Sequence, residues 1–155
     1  MGLDMYLNGK RYMSKYFNEE DGARAEDIAD KFPELQGWKS RFGESPVKEI
    51  KIEAAYWRKS NQIHKWFVDN VQDGKDDCGN YYVSREQLKE LRDICQKVLD
   101  FRHLATDLLP PSQGFFFGSD KIDDYYWGDL EATIKMIDAA LELPPSWDFE
   151  YHSSW

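Results

Sequence analysis

The chain has 155 residues and a net charge of −9, from 20 basic and 29 acidic side chains, and 15% of it is aromatic. That length suits one domain around one core, and 41% hydrophobic against 32% charged residues excludes wholesale disorder. The acidic excess argues against binding a nucleic-acid backbone or an anionic membrane surface, both of which need a basic face. It leaves room for a small anionic ligand, which needs only a few local cations. The acids are interspersed with bases, which also argues against an acidic mimic of DNA.

Leu3–Leu7 and Arg11–Met13 flank Asn8-Gly9, a strong hairpin signal, so an N-terminal hairpin is predicted. Residues 18–32 read as a short polar helix with Asp21 as N-cap and Ile28 and Phe32 facing inward. Residues 33–46 are loop-like, with Gly37, Trp38 and Gly43. Ile50, Ile52 and Ala54 alternate as a strand that runs into a helical pattern, placed at 54–71. On that helix Trp57, Asn61, His64 and Val68 share a face, and Ile63, Phe67 and Val71 form the neighbouring core seam.

Residues 73–80 are a turn and Tyr81–Val83 a short strand. Ser84 followed by Gln87 is a capping-box signature, opening a helix whose stripe is Leu88, Leu91, Cys95, Val98 and Leu99. Gly114-Phe-Phe-Phe-Gly118 reads as a buried strand. Asp123 or Asp124 starts the next helix, with Trp127, Leu130, Ile134, Ile137 and Leu141 on one side. Pro144-Pro145 stops it, and 147–151 alternates as a final strand leading to a packed Tyr151-His-Ser-Ser-Trp155 segment. The expected fold is α+β: a small, mostly antiparallel sheet against three main helices, in a single domain over 1–155.

Chemistry is sparse. Cys78 and Cys95 match no zinc spacing, and Cys95 on its helical stripe reads as a buried free thiol. Residues 69–80 depart from a calcium loop at Val71 and Asn80, and His64, His103 and His152 have no metal-ligand spacing. Phosphate-loop and serine-triad motifs are absent, so no cofactor or metal is expected. The N-terminal residues do not read as a signal peptide or a myristoylation site, and no apolar run approaches a membrane span, so a cytoplasmic setting is expected.

The segment from Trp57 to Trp66 is the leading site. Asn61 and His64 are either a structural pair satisfied within the fold or ligand contacts. In the second case Arg58 and Lys59 meet a phosphate or carboxylate. Trp57 or Trp66 then stacks on a base, and Ser153 and Ser154 close the site.

Met1-Gly-Leu-Asp-Met-Tyr-Leu7, Tyr56-Trp-Arg-Lys-Ser-Asn-Gln-Ile-His-Lys-Trp-Phe-Val68, Asp76-Asp-Cys-Gly-Asn-Tyr-Tyr-Val-Ser84, Gly114-Phe-Phe-Phe-Gly-Ser119 and Tyr151-His-Ser-Ser-Trp155 together carry a resemblance. They resemble a family of small uncharacterised bacteriophage and prophage proteins, with about 17–46 as a variable insert. The resemblance brings no established activity. It implies a host-cell cytoplasmic setting, and small phage accessory proteins as a class include sequesterers of immune signalling nucleotides.

The function expected is therefore binding of a nucleotide-derived small molecule, such as a cyclic ADP-ribose or cyclic dinucleotide signal. Two alternatives stand beside it: a nucleotide hydrolase or phosphodiesterase using His64, and a protein–protein inhibitor of a host factor. Small subunits often build pockets at their interfaces, so a homo-oligomer is the expected assembly, although the sequence has no direct sign of one.

Overall fold

A computed structural model describes residues 2–114 and 117–155. The elements run β1 (Asp4–Tyr12), α1 (Glu19–Asp30), β2 (Glu49–Arg58), α2 (Asn61–Asn70), β3 (Asn80–Val83), α3 (Arg85–Asp100), α4 (Ala105–Leu108), α5 (Asp124–Leu141) and β4 (Asp148–Ser154). Short 3-10 turns occupy Pro33–Leu35 and Arg102–Leu104. The architecture is α+β. One antiparallel sheet has the strand order β2-β1-β4-β3, and five α-helices are present among the described residues. In the β3–β4 register Tyr81 faces Tyr151 and Val83 faces Phe149.

The contacts divide the chain into two compact units, Met1–Gly9 with Glu53–Trp155, and Lys10–Ile52. In the larger unit the strands alternate, as period-two side chains do when one face is covered, except where Leu7, Asn8 and Gly9 are buried in succession. Leu3, Met5, Leu7, Ala55, Trp57, Val83, Phe149 and Tyr151 are buried and meet the helices, whereas Tyr56, Tyr82 and Arg58 on the opposite parity are exposed. Helix α2 is the centrepiece, with seven of its ten residues buried, polar Asn61, Gln62 and His64 among them. A helix covered nearly all round must satisfy its polar groups internally, and this one does.

Ser84 and Gln87 form the expected capping box at the start of α3, by reciprocal hydrogen bonds of 3.1 and 2.9 Å. Asp123 caps α5 by accepting from the backbone N–H groups of Tyr125 and Tyr126. Helix α3 packs along α5, with Arg92 donating to Asp138 at 3.0 Å. The buried seam of α5 is Tyr126, Leu130, Thr133, Ile137 and Ala140, one position round from the expected stripe, so Trp127, Ile134 and Leu141 lie at its margin. Two polar anchors set that rotation. Tyr126 donates to the Leu109 carbonyl at 2.8 Å, and Thr133 accepts the Trp57 indole N–H at 2.8 Å.

Two other expectations give way, and a third lies partly outside the described residues. Asn8-Gly9 is not a hairpin turn but the middle of β1. A type I′ turn needs positive φ at both residues and a type II′ turn at the first, and neither residue has it. The helix expected at 54–71 begins at Asn61, because the alternation of Ala54 to Arg58 keeps the chain in β2. Lys59 then turns it through the left-handed region at φ 59°. Trp57 is therefore a strand residue and shares no helix face with Asn61 and His64. Of the expected 114–118 strand, Phe115 and Phe116 lie outside the described residues, and Phe117 is buried in a bend.

Within the smaller unit Asn18, not Asp21, caps α1. Asp21 is buried and takes a forked pair of bonds from Arg11, the shorter at 2.7 Å. The inward face of α1 is Asp21, Ala25 and Ala29, while Phe32 is exposed. Ser14 and Lys48 both donate to Glu44, and these bonds, that of Lys48 first, hold its carboxyl below the ordinary range.

Candidate functional site

The segment singled out in the sequence separates into three environments. Trp57 and Trp66 belong to the interior: Trp57 stands edge-on to Phe67 at 5.9 Å with its N–H spent on Thr133, and Trp66 packs on Phe67 at 5.3 Å. Neither ring presents a face to solvent, so neither is placed to stack on a ligand.

His64 is 1% exposed, and both of its ring nitrogens are engaged. Nε2 lies 2.9 Å from Asp76 Oδ1, and Nδ1 lies 2.7 Å from the Tyr151 hydroxyl. A carboxylate only accepts, so Nε2 carries the proton and Nδ1 accepts from Tyr151. Burial pulls the imidazole below its ordinary value, against the opposing pull of Asp76, and the same burial holds the Tyr151 phenol well above 10. Tyr151 in turn stacks flat on Phe67, with centroids 3.9 Å apart. The Asp76–His64–Tyr151 chain thus pins the 73–80 turn to α2 and β4. Ser153 is buried and reaches the Asp77 carbonyl only at 3.5 Å, while Ser154 is exposed at the end of the strand. Trp155 is 44% exposed, with an edge contact to Phe117.

Asn61 is a clip. Its amide donates to the carbonyls of Phe117 and Ser119 at 3.0 and 2.8 Å, and its oxygen accepts from Ser112 N–H at 2.9 Å. Those three bonds use both donors and one acceptor site of the side chain and hold Ser112, Phe117 and Ser119 to the start of α2.

Gly118 and Ser119 belong to the wall of a cleft of about 370 Å³, lined also by Arg58, Lys59, Asn61, Gln62, Lys121, Asp123, Tyr125, Tyr126 and Asp129. Three of the predicted residues, Arg58, Lys59 and Asn61, come together here. Trp57, His64, Trp66, Ser153 and Ser154 are not part of its wall. Lys59 is held in its left-handed conformation by a 2.8 Å bond from its N–H to the Leu3 carbonyl and by Asn61 N–H donating to its own carbonyl at 2.9 Å. A left-handed non-glycine residue costs about 1–3 kcal/mol, and such strain gathers at functional sites. Gly118, itself at φ +86°, packs against the Lys59 stem so closely that an added Cβ would lie 3.1 Å from it.

Among the described residues neither Lys59 nor Lys121 forms an ion pair, and Arg58 reaches Asp4 only at 3.8 Å. Asp129 faces the same space. Its Oδ2 accepts from Gln62 at 3.2 Å, and burial raises its carboxyl above the ordinary value. Tyr125 is 85% exposed at the rim. Apart from Gln62, the parts that sequence reasoning missed lie in 118–129, some sixty residues from Lys59 in the chain, where Asp123 stood out only as a helix cap.

A larger cleft of about 510 Å³ lies in the smaller unit, lined by Ser14, Lys15, Gly22, Glu44 and Ser45 among others. Ser14 is spent on Glu44, Glu44 on Lys48 and Ser45 on the Ala25 carbonyl at 2.9 Å, and Lys15 is the one basic side chain in its wall, beside Glu19, Glu26 and Glu44, where the Lys59 cleft gathers three basic side chains. Chemical opportunity, not volume, therefore favours the Lys59 cleft. Among the described residues no three His, Cys, Asp or Glu side chains are grouped to hold a metal, and no helix is long and apolar enough to cross a membrane. No protein-family model, curated protein or solved structure matches this chain.

Proposed function

We propose that the cleft between Lys59 and Asp129 binds a nucleotide-derived small molecule and holds it without converting it, as a sequestering protein does. The observation that carries this reading is the meeting of three cationic side chains, Arg58, Lys59 and Lys121, two of them without an ion pair among the described residues, with an exposed Tyr125 ring in one concave site. Lysines unpaired in a cleft are suited to a phosphate, and an aromatic rim to a base or sugar face. The volume falls within the ~300–1,000 Å³ of ordinary small-molecule sites. The ligand class is an immune signalling nucleotide of the cyclic ADP-ribose or cyclic dinucleotide kind, in keeping with a phage accessory role.

Sequestration is preferred to hydrolysis because the histidine available as an acid or base, His64, is buried with both nitrogens engaged. The deciding experiment incubates the pure protein with candidate nucleotides, denatures it and analyses what is released. Intact ligand, stoichiometric with protein, is the expected result. Product accumulating beyond one equivalent refutes holding without conversion.

A further inference from the structure

Asp129 is the feature of the cleft that a phosphate site does not need. Its carboxyl is half-buried, with one long bond from Gln62, and among the described residues no cation lies within ion-pair distance. The Ser60 hydroxyl, 1% exposed, is buried beside it without completing a hydrogen bond, yet close enough to draw its pKa down. Desolvation outweighs both neighbours, and the net direction is up. An ionised carboxylate offers about four acceptor sites. Here at most two have protein donors near them, which leaves acceptor sites for donors of a molecule in the cleft that Asp129 lines.

We infer that Asp129 reads the cis-diol of a ribose, so that the ligand of this cleft is a ribonucleotide. This rests on the nucleotide-binding reading above and narrows it to the ADP-ribose kind, because a 3′,5′-linked cyclic dinucleotide has no free cis-diol. Two neighbouring hydroxyls present two donors to the two oxygens of one carboxylate, a match that an adenine or cytosine amine cannot make with its single exocyclic group. The cations in the same cleft point the same way. Lys59, Lys121 and Asp129 line one cleft, so the cations that meet phosphate and the group that accepts donors open on the same space. In a 5′-nucleotide the sugar hydroxyls lie nearer the phosphate than the far edge of the base does. Gln62, whose amide holds Asp129 Oδ2, is then a positioning residue for that carboxylate.

The test is calorimetric titration of the full chain with AMP, 2′-deoxy-AMP, 3′-deoxy-AMP, GMP and 2′-deoxy-GMP. The expected result is that AMP binds about tenfold or more tightly than either deoxy analogue, the loss set by one hydrogen bond to a charged acceptor. Asp129→Asn binds AMP more weakly and no longer separates it from the deoxy forms, whereas Lys59→Ala weakens all five alike. Equal affinity of the wild-type chain for AMP and its deoxy analogues overturns the inference. So does tight binding of GMP and deoxy-GMP alike, which assigns Asp129 to a guanine edge and leaves nucleotide binding standing. No binding of any of the five removes the nucleotide reading and the inference with it. The wild-type comparison decides the matter even where Asp129→Asn does not fold, which its melting curve reports.

Discussion

Asn61→Ala tests whether Ser112, Phe117 and Ser119 are held by one side chain. The substitution removes two donors and one acceptor at once, leaving the Phe117 carbonyl, the Ser119 carbonyl and the Ser112 N–H without their partner. The Phe117 bond is buried, and the other two are partly open to water. A buried group left unpaired costs about 1–3 kcal/mol, and water restores most of the loss at the other two, so about 2–4 kcal/mol in all is expected. Urea denaturation measures it as a lower midpoint at unchanged slope. Because Gly118 and Ser119 line the cleft, affinity for AMP falls too, even at temperatures where the variant is folded. A stability loss below about 0.5 kcal/mol, the level of an ordinary surface change, refutes the clip.

Three further outcomes follow from the same structure. Ser84→Ala removes the α3 capping box and is expected to cost about 1 kcal/mol in urea melts, while Glu86→Ala in the same turn costs far less. Stability is expected to fall as the pH drops below about 6.5, where His64 protonates in the unfolded chain while the folded chain, its imidazole pulled below that value, resists protonation. The unfolded state then binds more protons, so the loss grows between 6.5 and the lower folded value. Urea midpoints from pH 8 to 5 show it, and His64→Gln flattens the slope; an equal slope in both chains contradicts it. Thiol titration is expected to count one reactive cysteine in the native protein and two after denaturation, because Cys78 is exposed whereas burial pushes the Cys95 thiol up to about 12.

Local signals were legible in the sequence, and long-range ones were not. The Ser84–Gln87 box, the Asp123 cap, the turn at 73–80 and the β3 and β4 strands each rest on a few adjacent residues, and each is found. Asn8-Gly9 misled because turn propensity is local, whereas β1 is an interior strand bonded on both sides, between β2 and β4. The β2–α2 junction was hidden for a related reason: Trp57 fits both the period of a strand and that of a helix, and only the left-handed Lys59 separates them. In the cleft, Arg58, Lys59 and Asn61 were visible as a polar run. Lys121, Tyr125 and Asp129 were not, since nothing short of the folded Asn61 clip brings the 118–129 segment to that run. His64 was singled out for the right reason, a polar group on a buried helix. Its partners, Asp76 and Tyr151, make it a link between elements.

The central claim, that Lys59 and Lys121 hold an anionic small molecule, is tested most directly by native mass spectrometry of the chain after exposure to bacterial lysate, alongside Lys59→Ala/Lys121→Ala. The expected result is a bound mass in the nucleotide range on the wild-type protein and none on the double variant. A wild-type protein that emerges without ligand, or a variant that carries the same mass, contradicts the claim.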